Sequence, residues 1–306
     1  MAAFTIGGVI NVDKARGPTS HDVVDVVRQA LGIRRVGHAG TLDPAARGVL
    51  PILFGRVTRL ARFFVGYKKE YRAVIKLGAE TSSGDEEGEV VYERAVPADT
   101  YGALAAVARS FVGEIVQRVP TFSAVKHRGE PLYRKARRGD AVAAPSRTVS
   151  VYRLEVIDVT PPTFTALVEC GGGTYVRALA RDIGRKLGVG AHVVDLVRLA
   201  VGPFVLGQAL PQSRLQEADL DAVLCPPHFT HAAALLPELP AVRLSAAGVT
   251  AAVQGRPVPV PEPLSPGGAV RLLSDDGGLV GVGVATAGGQ VKPDTILVKA
   301  EELGDS

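Results

Sequence analysis

The chain has 306 residues, of which 46% are hydrophobic and 22% charged, as in a globular protein with one large domain or two smaller ones. Its net charge is +4, and its two cysteines are too few for a disulfide framework or a cysteine-rich metal site. No apolar run approaches the length of a membrane span, and the N-terminus lacks the pattern of a signal peptide. These features predict a cytoplasmic protein that uses no metal and binds no membrane.

The chain begins with a predicted strand and helix. An apolar run over 7–14 predicts a short buried strand. Ser20 is predicted to cap a helix over 21–31, because apolar residues recur there at helical spacing and Gly32 ends the pattern. A second apolar run, 49–55, is also predicted to be buried.

Between these elements, residues 34–51 predict a long loop because glycines and prolines interrupt the stretch. The loop holds a single carboxylate, Asp43, in a basic neighbourhood. Asp43 followed by Pro44 fits a helix N-cap, and Gly48 would end that helical turn. On spacing alone, this structural interpretation is favoured over a catalytic one.

Downstream, strand and helix patterns mix without a strict βαβ repeat, which favours an α+β fold over a doubly wound sheet. Residues 68–78 alternate as a strand should. Glycines at 171–173 precede a predicted helix, and they fit a tight turn better than a phosphate-binding cradle. The other predicted strands are 115–119, 149–159, 164–170 and 193–201, and the other helices are 57–64, 99–110, 132–138 and 175–187.

The pattern weakens after Phe204, and Pro226-Pro227, Pro237 and Pro240 indicate a linker. Beyond the linker, short β-prone runs are separated by glycine and proline, which predicts a small β-barrel or sandwich. The sequence therefore predicts two domains. They are 1–236 and 237–306, and the β-prone runs of the second are 269–274, 279–286 and 295–299.

Positive charge is concentrated in two segments. Residues 28–76 contain eleven Lys/Arg against two acids, and residues 126–147 contain seven against two. Such concentrations suggest a polyanion partner, most simply nucleic acid, although a solvated arginine-rich surface explains the charge equally well. The tail from residue 241 has five basic and seven acidic residues, so we expect it to tune affinity rather than supply it.

Several familiar catalytic patterns are absent from the sequence. There is no Walker A motif, no G-x-G-x-x-G after a strand and no G-x-S-x-G, and the six histidines show no paired ligand spacing. What remains is a carboxylate, a phenol and a guanidinium, namely Asp43, Tyr71 and Arg177. Each alone has an ordinary structural explanation, as a cap, a core residue and a surface residue respectively.

Five motifs in order resemble the TruB family of tRNA pseudouridine synthases. The signature is G-H-A-G-T-L-D-P-A-A-R-G-V-L-P at 37–51. The N-terminal motif at 13–20 departs from the family at Ala15, where proline is usual. The resemblance covers residues 7–205, and the tail resembles a PUA domain only in position, length and β character. The remaining motifs lie at 69–71, at 120–133, and at 173–177 together with 190–193.

The resemblance implies the pseudouridine synthase fold, whose mixed, largely antiparallel central sheet is flanked by helices. It also implies a stand-alone enzyme of the bacterial type that isomerises uridine 55 in the T-loop of tRNA. The base is flipped out, detached at its N-glycosidic bond, turned and rejoined through carbon, with no cofactor or metal. The expected partner is the T-arm of tRNA, bound by a monomer that requires no protein partner.

The resemblance also assigns roles to residues. Asp43 is expected to act on the sugar or base, as a nucleophile or by stabilising charge, and Arg177 to keep it ionised and oriented. Tyr71 is expected to stack on the flipped base; a proton-transfer role is less favoured because a phenol has a pKa of about 10. Further expected contacts are Tyr175 and Leu196 with the uracil, His38 with a gap in the T-loop, and Lys14 and Lys69 with phosphate or loop.

The basic insertion at 123–149 is expected to clamp the T-loop as a mobile thumb. Two alternatives stay open: a non-catalytic RNA-binding protein or tRNA-folding chaperone, and a guide-RNA-dependent synthase of the archaeal and eukaryotic type. The presence of Asp43, Tyr71 and Arg177 argues against the first as the sole role. The long insertion and the short tail argue against the second.

Overall fold

The computed structural model describes residues 6–123, 125–127, 129–138, 144–215, 220–260 and 264–299. The helices are α1 Ser20–Leu31, α2 Ala61–Val65, α3 Thr100–Arg109, α4 Leu132–Arg137, α5 Val176–Lys186, α6 Leu220–Val223 and α7 Ala246–Val253. The first strands are β1 Gly7–Lys14, β2 Val36–His38, β3 Arg47–Gly55, β4 Lys69–Leu77, β5 Ala79–Thr81, β6 Val90–Glu93, β7 Gly113–Arg118, β8 Lys126–His127, β9 Glu130–Pro131 and β10 Ser146–Thr160. The others are β11 Thr163–Cys170, β12 Ala191–Val201, β13 Phe204–Val205, β14 Leu210–Pro211, β15 Phe229–His231, β16 Ala241–Leu244, β17 Val258–Pro259, β18 Ala269–Ser274, β19 Leu279–Ala285 and β20 Gln290–Ile296.

Eleven of the strands form one mixed sheet. Its main path runs β14-β1-β3-β12-β4-β11-β10-β7, while β2, β13 and β15 pair with strands of that path. Neighbouring strands are antiparallel except for β1 with β14 and β3 with β12, which are parallel. The predicted α+β class with a mixed, largely antiparallel central sheet is therefore confirmed.

Strand β3 lies between β1 and β12 and is buried on both faces. Leu50, Ile52 and Phe54 share one core with the apolar side of α1, whereas Val49 and Leu53 share another with residues of the C-terminal sheet. A strand covered on both faces has a continuous apolar sequence. Strand β4 instead buries every second residue, as the alternation in its sequence predicted.

Helix α1 is capped by Thr19 rather than by Ser20. The Thr19 hydroxyl accepts the Asp22 amide at 3.1 Å, and the Asp22 carboxylate accepts the Thr19 amide at 2.7 Å, which is a complete capping box. The prediction that Ser20 caps the helix is wrong because its hydroxyl binds the backbone of Leu42 instead. The predicted end is confirmed, since Gly32 adopts a left-handed φ of 63°.

A second sheet of five strands forms near the C-terminus, in the order β16-β18-β19-β20-β17. Helix α7 packs against it through Val249 and Ala252. The predicted runs 269–274 and 279–286 correspond to β18 and β19, but β20 begins earlier than predicted. Pro293, which suggests a break in the sequence, lies next to a register irregularity between β19 and β20, where a strand tolerates proline.

Three arginines after β3 contact this second sheet. Arg56 donates to the Leu297 carbonyl at 2.9 Å, and Arg59 donates to the Ile296 carbonyl. Arg62 donates to the Thr295 hydroxyl at 3.1 Å and also pairs with Asp294. These three arginines belong to the basic segment that suggested a polyanion-binding surface, but their side chains instead connect the two sheets. Among the described residues, no helix is long and apolar enough to cross a membrane.

Candidate active site

Asp43 lies in a turn between β2 and β3. The Ala46 amide donates to the Asp43 carbonyl at 3.0 Å and closes the turn, and residues 39–46 contain no helix. The predicted N-cap at Asp43 is therefore wrong, as is the single long loop, because β2 and β3 occupy its ends. Gly48 lies in β3, where a Cβ would come within 2.3 Å of the Arg198 carbonyl.

Two side chains from other elements hold this turn. The Lys14 amine, at the buried end of β1, donates to the carbonyls of Ala46 at 2.7 Å and Ala15 at 2.8 Å. The Ser20 hydroxyl donates to the Leu42 carbonyl and accepts the Leu42 amide, both at 2.8 Å. Burial lowers the pKa of Lys14 to about 8. The observed contacts of the amine are with the protein's own backbone, and contact of Lys14 with the RNA stays a prediction.

Arg177 lies in the first turn of α5 and forms an ion pair with Asp43. Its Nη2 lies 2.8 Å from Asp43 Oδ2, and the residue is 4% exposed. The same guanidinium donates to the carbonyls of Ser83 at 2.6 Å and Phe122 at 2.9 Å. A planar guanidinium held at several points fixes the direction of its carboxylate partner. The fold thus brings together two residues that are distant in sequence.

A second carboxylate, Asp85, reaches the same guanidinium. Its Oδ2 lies 3.4 Å from Arg177 Nη1, and the residue is 8% exposed. The Asp85 side chain also accepts hydrogen bonds from the Ser83 hydroxyl and the Glu87 amide. Sequence analysis missed Asp85 because it stands beside Glu86 and Glu87 in an acidic loop, and only the fold decides which acid points inward.

Tyr71, on β4, lines a cavity of about 190 Å³ next to Asp43. Burial raises the pKa of the Tyr71 phenol, and the nearby Arg198 guanidinium opposes that rise only in part. A phenol with a raised pKa stays protonated at neutral pH and is a weak base. The geometry is therefore compatible with the favoured contact role of Tyr71.

Six of the eight predicted site residues line this cavity. Lys14 and His38 do not reach it: Lys14 lies beneath the turn, and His38 lies on β2. The six that line it are Asp43, Lys69, Tyr71, Tyr175, Arg177 and Leu196.

Lys69 lies at the edge of the cavity, and its amine is engaged by the protein backbone. It donates to the carbonyls of Val65 and Tyr67, both at 2.6 Å. Burial lowers the pKa of Lys69 to about 8, and the charge of Arg198 adds to the effect. As with Lys14, the observed contacts are with a loop of the protein, and contact with phosphate stays a prediction.

His38 is half-buried on β2, where it pairs with Ile52 of β3. Its Nδ1 is buried and, among the described residues, has no hydrogen-bond partner. Burial lowers the pKa of His38, and the charges of Arg198 and His21 lower it further. His38 is therefore predominantly neutral at pH 7.

Tyr175 immediately precedes α5, and Gln117 fixes its backbone. The Gln117 side chain donates to the Tyr175 carbonyl at 3.1 Å and accepts its amide at 3.0 Å. The Arg147 guanidinium lies 5.7 Å from the centre of the Tyr175 ring. The preceding glycines form a turn in which Gly173 has a φ of 84°, as the tight-turn interpretation predicted.

Arg198 also lines the cavity, and sequence analysis did not identify it. It lies on β12 and is 1% exposed. Its guanidinium donates to the carbonyls of Val49 at 2.7 Å, Gly40 at 3.1 Å and Thr41 at 3.3 Å. One feature of the sequence could have identified it: a charged residue stands at an inward-facing position of a predicted strand, and a buried charge requires partners inside the protein.

Four other cations of the first basic segment lie at or near the surface. Arg47 and Arg72 flank Asp195, at 3.2 and 3.9 Å, whereas Arg34 and Arg35 are exposed. Within 123–149, the structure describes β8, β9, α4 and the start of β10, so part of the expected thumb lies outside the described residues. The described residues contain no cluster of three or more His, Cys, Asp or Glu side chains placed to hold a metal ion.

Three family models match successive parts of the chain. Residues 28–176 match the N-terminal domain of TruB family pseudouridylate synthases. Residues 177–226 match the C-terminal domain of tRNA pseudouridylate synthase B. Residues 240–297 match the C-terminal model of pseudouridine synthase II TruB.

Curated relatives are similar along most of the chain. The protein called tRNA pseudouridine synthase B in Burkholderia pseudomallei (strain 668) is 39% identical over 97% of this chain and 99% of its own length. The protein of the same name in Pseudomonas paraeruginosa (strain DSM 24068 / PA7) is 37% identical over 96% of each chain. That of Dehalococcoides mccartyi (strain CBDB1) is 42% identical over 81% of this chain and 82% of its own.

Solved structures share the architecture. A Cbf5-Nop10-Gar1 complex matches with a TM-score of 0.75 and 26% identity over 100% of this chain and 89% of that chain. An archaeal box H/ACA sRNP Nop10-Cbf5 complex matches with a TM-score of 0.74 and 25% identity over 100% and 90%. Because similarity to the curated relatives extends over nearly the whole length of both chains, the chain belongs to the TruB family of pseudouridine synthases.

Proposed function

We propose that this pseudouridine synthase acts on tRNA and isomerises uridine 55 of the T-loop, with Asp43 as the catalytic carboxylate. The observation that carries the proposal is the Asp43–Arg177 ion pair of 2.8 Å at a cavity lined by Tyr71. The relatives that are 37% to 42% identical bear the name tRNA pseudouridine synthase B, which supports tRNA as the substrate.

The reaction is an isomerisation in which the bond from N1 of the base to C1′ of the sugar breaks and a bond from C5 to C1′ forms. C5 loses its hydrogen as a proton, and N1 gains a proton, so atoms and charge balance. The electron-poor C1′ between the two bonds needs a carboxylate, either as a nucleophile or as a stabilising charge. Asp43 is the acid proposed for that position.

Arg177 and Asp85 are proposed to aim Asp43. Arg177 is almost completely buried and is held by backbone carbonyls at Ser83 and Phe122 as well as by the two carboxylates. Such a guanidinium cannot swing towards solvent and take the carboxylate with it. Pre-orientation of this kind lowers the activation barrier, since a catalytic group misplaced by about 1 Å can slow a reaction by about 10²-fold.

Tyr71 and Leu196 are proposed to contact the flipped uracil, with Tyr71 stacking on its face. Flipping a base out of a folded loop costs about a few kcal/mol, and base–aromatic stacking can return about 1–3 kcal/mol. The raised pKa of Tyr71 favours this contact role over that of a proton acceptor. Tyr175 is proposed as a second wall of the uracil site.

Binding of the T-arm is proposed to rest on exposed cations and on the insertion at 123–149, which would act as a thumb. His38 is proposed to contact the T-loop, since it lies beside the Asp43 turn with an unpartnered Nδ1 among the described residues. The division into a catalytic domain, 1–236, and a PUA-like domain, 237–306, is also a proposal. The five-stranded sheet that begins at Ala241 supports it.

We also propose that the protein acts as a cytoplasmic monomer without a guide RNA. Relatives called tRNA pseudouridine synthase B match nearly the whole chain, which supports tRNA itself as the RNA that is bound, and the cytoplasmic monomer is proposed from the family resemblance. The alternative of guide-RNA dependence is favoured only by the fold similarity to Cbf5 complexes, at 25% and 26% identity.

The deciding experiment uses a bare tRNA transcript carrying uridine labelled with tritium at C5. Because C5 loses its hydrogen, the purified protein should release tritium from the wild-type transcript and release none from a transcript in which uridine 55 is replaced by cytidine. Release only after addition of a guide RNA would favour the guided alternative. Binding without release under either condition would favour the non-catalytic one.

Asp43→Asn is the matched variant because it keeps the side-chain shape and removes the charge. We expect it to abolish turnover while the Kd for the transcript stays within about threefold, since the phosphate contacts that dominate affinity are untouched. Pseudouridine formation at the normal rate would remove Asp43 from the proposed role. Near-identical circular dichroism spectra would show that the variant folds.

A further inference from the structure

Arg198 is a buried cation whose partners are backbone carbonyls. It is 1% exposed and among the largest fully buried side chains of the described residues. A buried charge is costly unless hydrogen bonds compensate it. Within the described residues it forms no ion pair with a carboxylate, and three carbonyls accept its hydrogen bonds.

The three carbonyls lie on both sides of Asp43 in the chain. Gly40 and Thr41 precede the turn that carries Asp43, and Val49 follows it, in β3. The distances are 3.1 Å to Gly40, 3.3 Å to Thr41 and 2.7 Å to Val49. A guanidinium has five N–H donors in a rigid plane, so one side chain fixes both ends of the turn relative to each other.

The strand register also places Arg198 beside Tyr71. Its neighbour across β12 and β4 is Tyr71, and its neighbour across β12 and β3 is Gly48. Both residues line the same cavity, and the charge of Arg198 lowers the Tyr71 pKa against the larger effect of burial. Arg198 therefore contacts the Asp43 turn and the strand of Tyr71 at once.

We propose that Arg198 is a positioning residue, which ties the Asp43 turn to Tyr71 and so sets the separation of the carboxylate from the face of the bound base. This inference rests on the proposed function, because it assigns the distance between two residues proposed to act on uridine. Arg198 itself donates to the carbonyls of the turn and lies opposite Tyr71 in the strand register, and it acts on the base through these two elements.

A purely structural role would give a different outcome. If Arg198 only stabilised the fold, its loss would lower the melting temperature, and the folded fraction would turn over at the normal rate. If it sets the separation, kcat falls in fully folded protein while the Kd for tRNA is unchanged. The planar guanidinium donates to both ends of the turn at once. A lysine at this position keeps the positive charge but, with a single amine, does not hold the two ends of the turn relative to each other.

The test compares Arg198→Lys and Arg198→Met under single-turnover conditions on the tritium-labelled tRNA transcript. We expect the rate constant to fall by about 10²-fold in both, as for a misplacement of about 1 Å, with the Kd within about threefold. Turnover by either variant within twofold of the wild-type rate would overturn the proposal. If Arg198→Met fails to fold, Arg198→Lys, which keeps the buried charge and can reach one carbonyl, still tests it.

Leu154→Ala is the control for lost stability. Leu154 is 3% exposed in the core on β10, so the substitution should lower the melting temperature by leaving a cavity and should leave the turn intact. We expect this variant to keep the wild-type rate below its melting temperature. If the rate of Leu154→Ala falls as far as that of the Arg198 variants, the defect of the Arg198 variants is explained by lost stability and the positioning role is overturned.

Hydrogen exchange supplies a readout that does not depend on activity. In both Arg198 variants the amides of residues 39–46 should exchange faster, whereas those of α1 should not change. Unchanged exchange in the turn would contradict the inference. The two proposals can also fail separately. If the wild-type protein releases no tritium and the turn still exchanges faster in the variants, the proposed function is overturned and the positioning inference stands.

Discussion

Two groups of cations in this protein differ in their burial and in the partners of their side chains. Four cations at the cavity or beneath the Asp43 turn are buried and donate to backbone carbonyls of the protein, namely Lys14, Lys69, Arg177 and Arg198. Arg134 of the insertion and Arg34 after α1, by contrast, are exposed. The first group shapes the site, and the second is available to phosphates.

This difference shows what a count of charges conceals. The excess of positive charge in 28–76 is real, but Lys69 serves a loop and Arg56, Arg59 and Arg62 contact the second sheet. Only the exposed remainder can release counterions from RNA. The two groups should therefore separate in experiment: buried cations should control kcat, and exposed cations should control affinity and its dependence on salt.

The largest effect is expected for Arg177→Met. The substitution leaves Asp43 and Asp85 without their shared partner, and breaking a buried pair is strongly destabilising, by about 3–5 kcal/mol. We expect the single-turnover rate to fall by about 10³-fold while the slope of log Kd against log salt stays at the wild-type value. A reduced salt slope would place Arg177 among the phosphate contacts and break the comparison.

The next effect is expected for the insertion, with Arg134→Gln and Lys135→Gln combined on α4. If both side chains bind phosphate, the slope of log K against log salt should decrease by about 0.9 for each phosphate that is no longer neutralised, and the rate constant at saturating tRNA should not change. Titrations at several salt concentrations measure the slope. Arg153→Gln, which removes an exposed cation 3.5 Å from Glu155 on β10, is the matched control, and an equal change in slope there would remove any special role of the insertion.

A third, smaller effect concerns pH and Lys14. Burial lowers its pKa to about 8 in the folded protein from 10.5, so between these values the unfolded chain binds more protons than the folded one. By linkage, the contribution of Lys14 to stability rises with pH across that window. The stability of wild type relative to Lys14→Met should therefore increase between pH 8 and 10.5, as measured by urea unfolding. A difference that is constant with pH would mean that the amine is not desolvated.

The smallest effect is expected for Arg62→Gln. Its side chain is 57% exposed and pairs with Asp294, and an exposed pair contributes about 0–1 kcal/mol. We expect a small decrease in melting temperature, with both the rate and the salt slope unchanged. A decrease in the salt slope would return Arg62 to the RNA-binding group and show that the contact with the second sheet is secondary.

Much of the fold could be predicted because its elements have strong local patterns. The alternation in β4 and the helical spacing of α1 are properties of short segments, and their observed bounds, Lys69–Leu77 and Ser20–Leu31, agree closely with the predictions. The short strands β2 and β14 carry no such pattern, because the strands beside them supply their partners. The bounds of β20 were also missed, since Pro293 locally indicates a break.

The sequence by itself determined the α+β class, the strongly periodic elements and, through its motifs, the family and the candidates Asp43, Tyr71 and Arg177. Only the tertiary structure decided that Thr19 caps α1 while Ser20 binds Leu42, that Asp43 stands in a turn, and that Asp85 and Arg198 face the site. The physical reason is the range of the interactions. Capping, alternation and helical spacing act within a few residues, whereas a buried charge is satisfied by carbonyls and carboxylates that only the folded chain brings within reach.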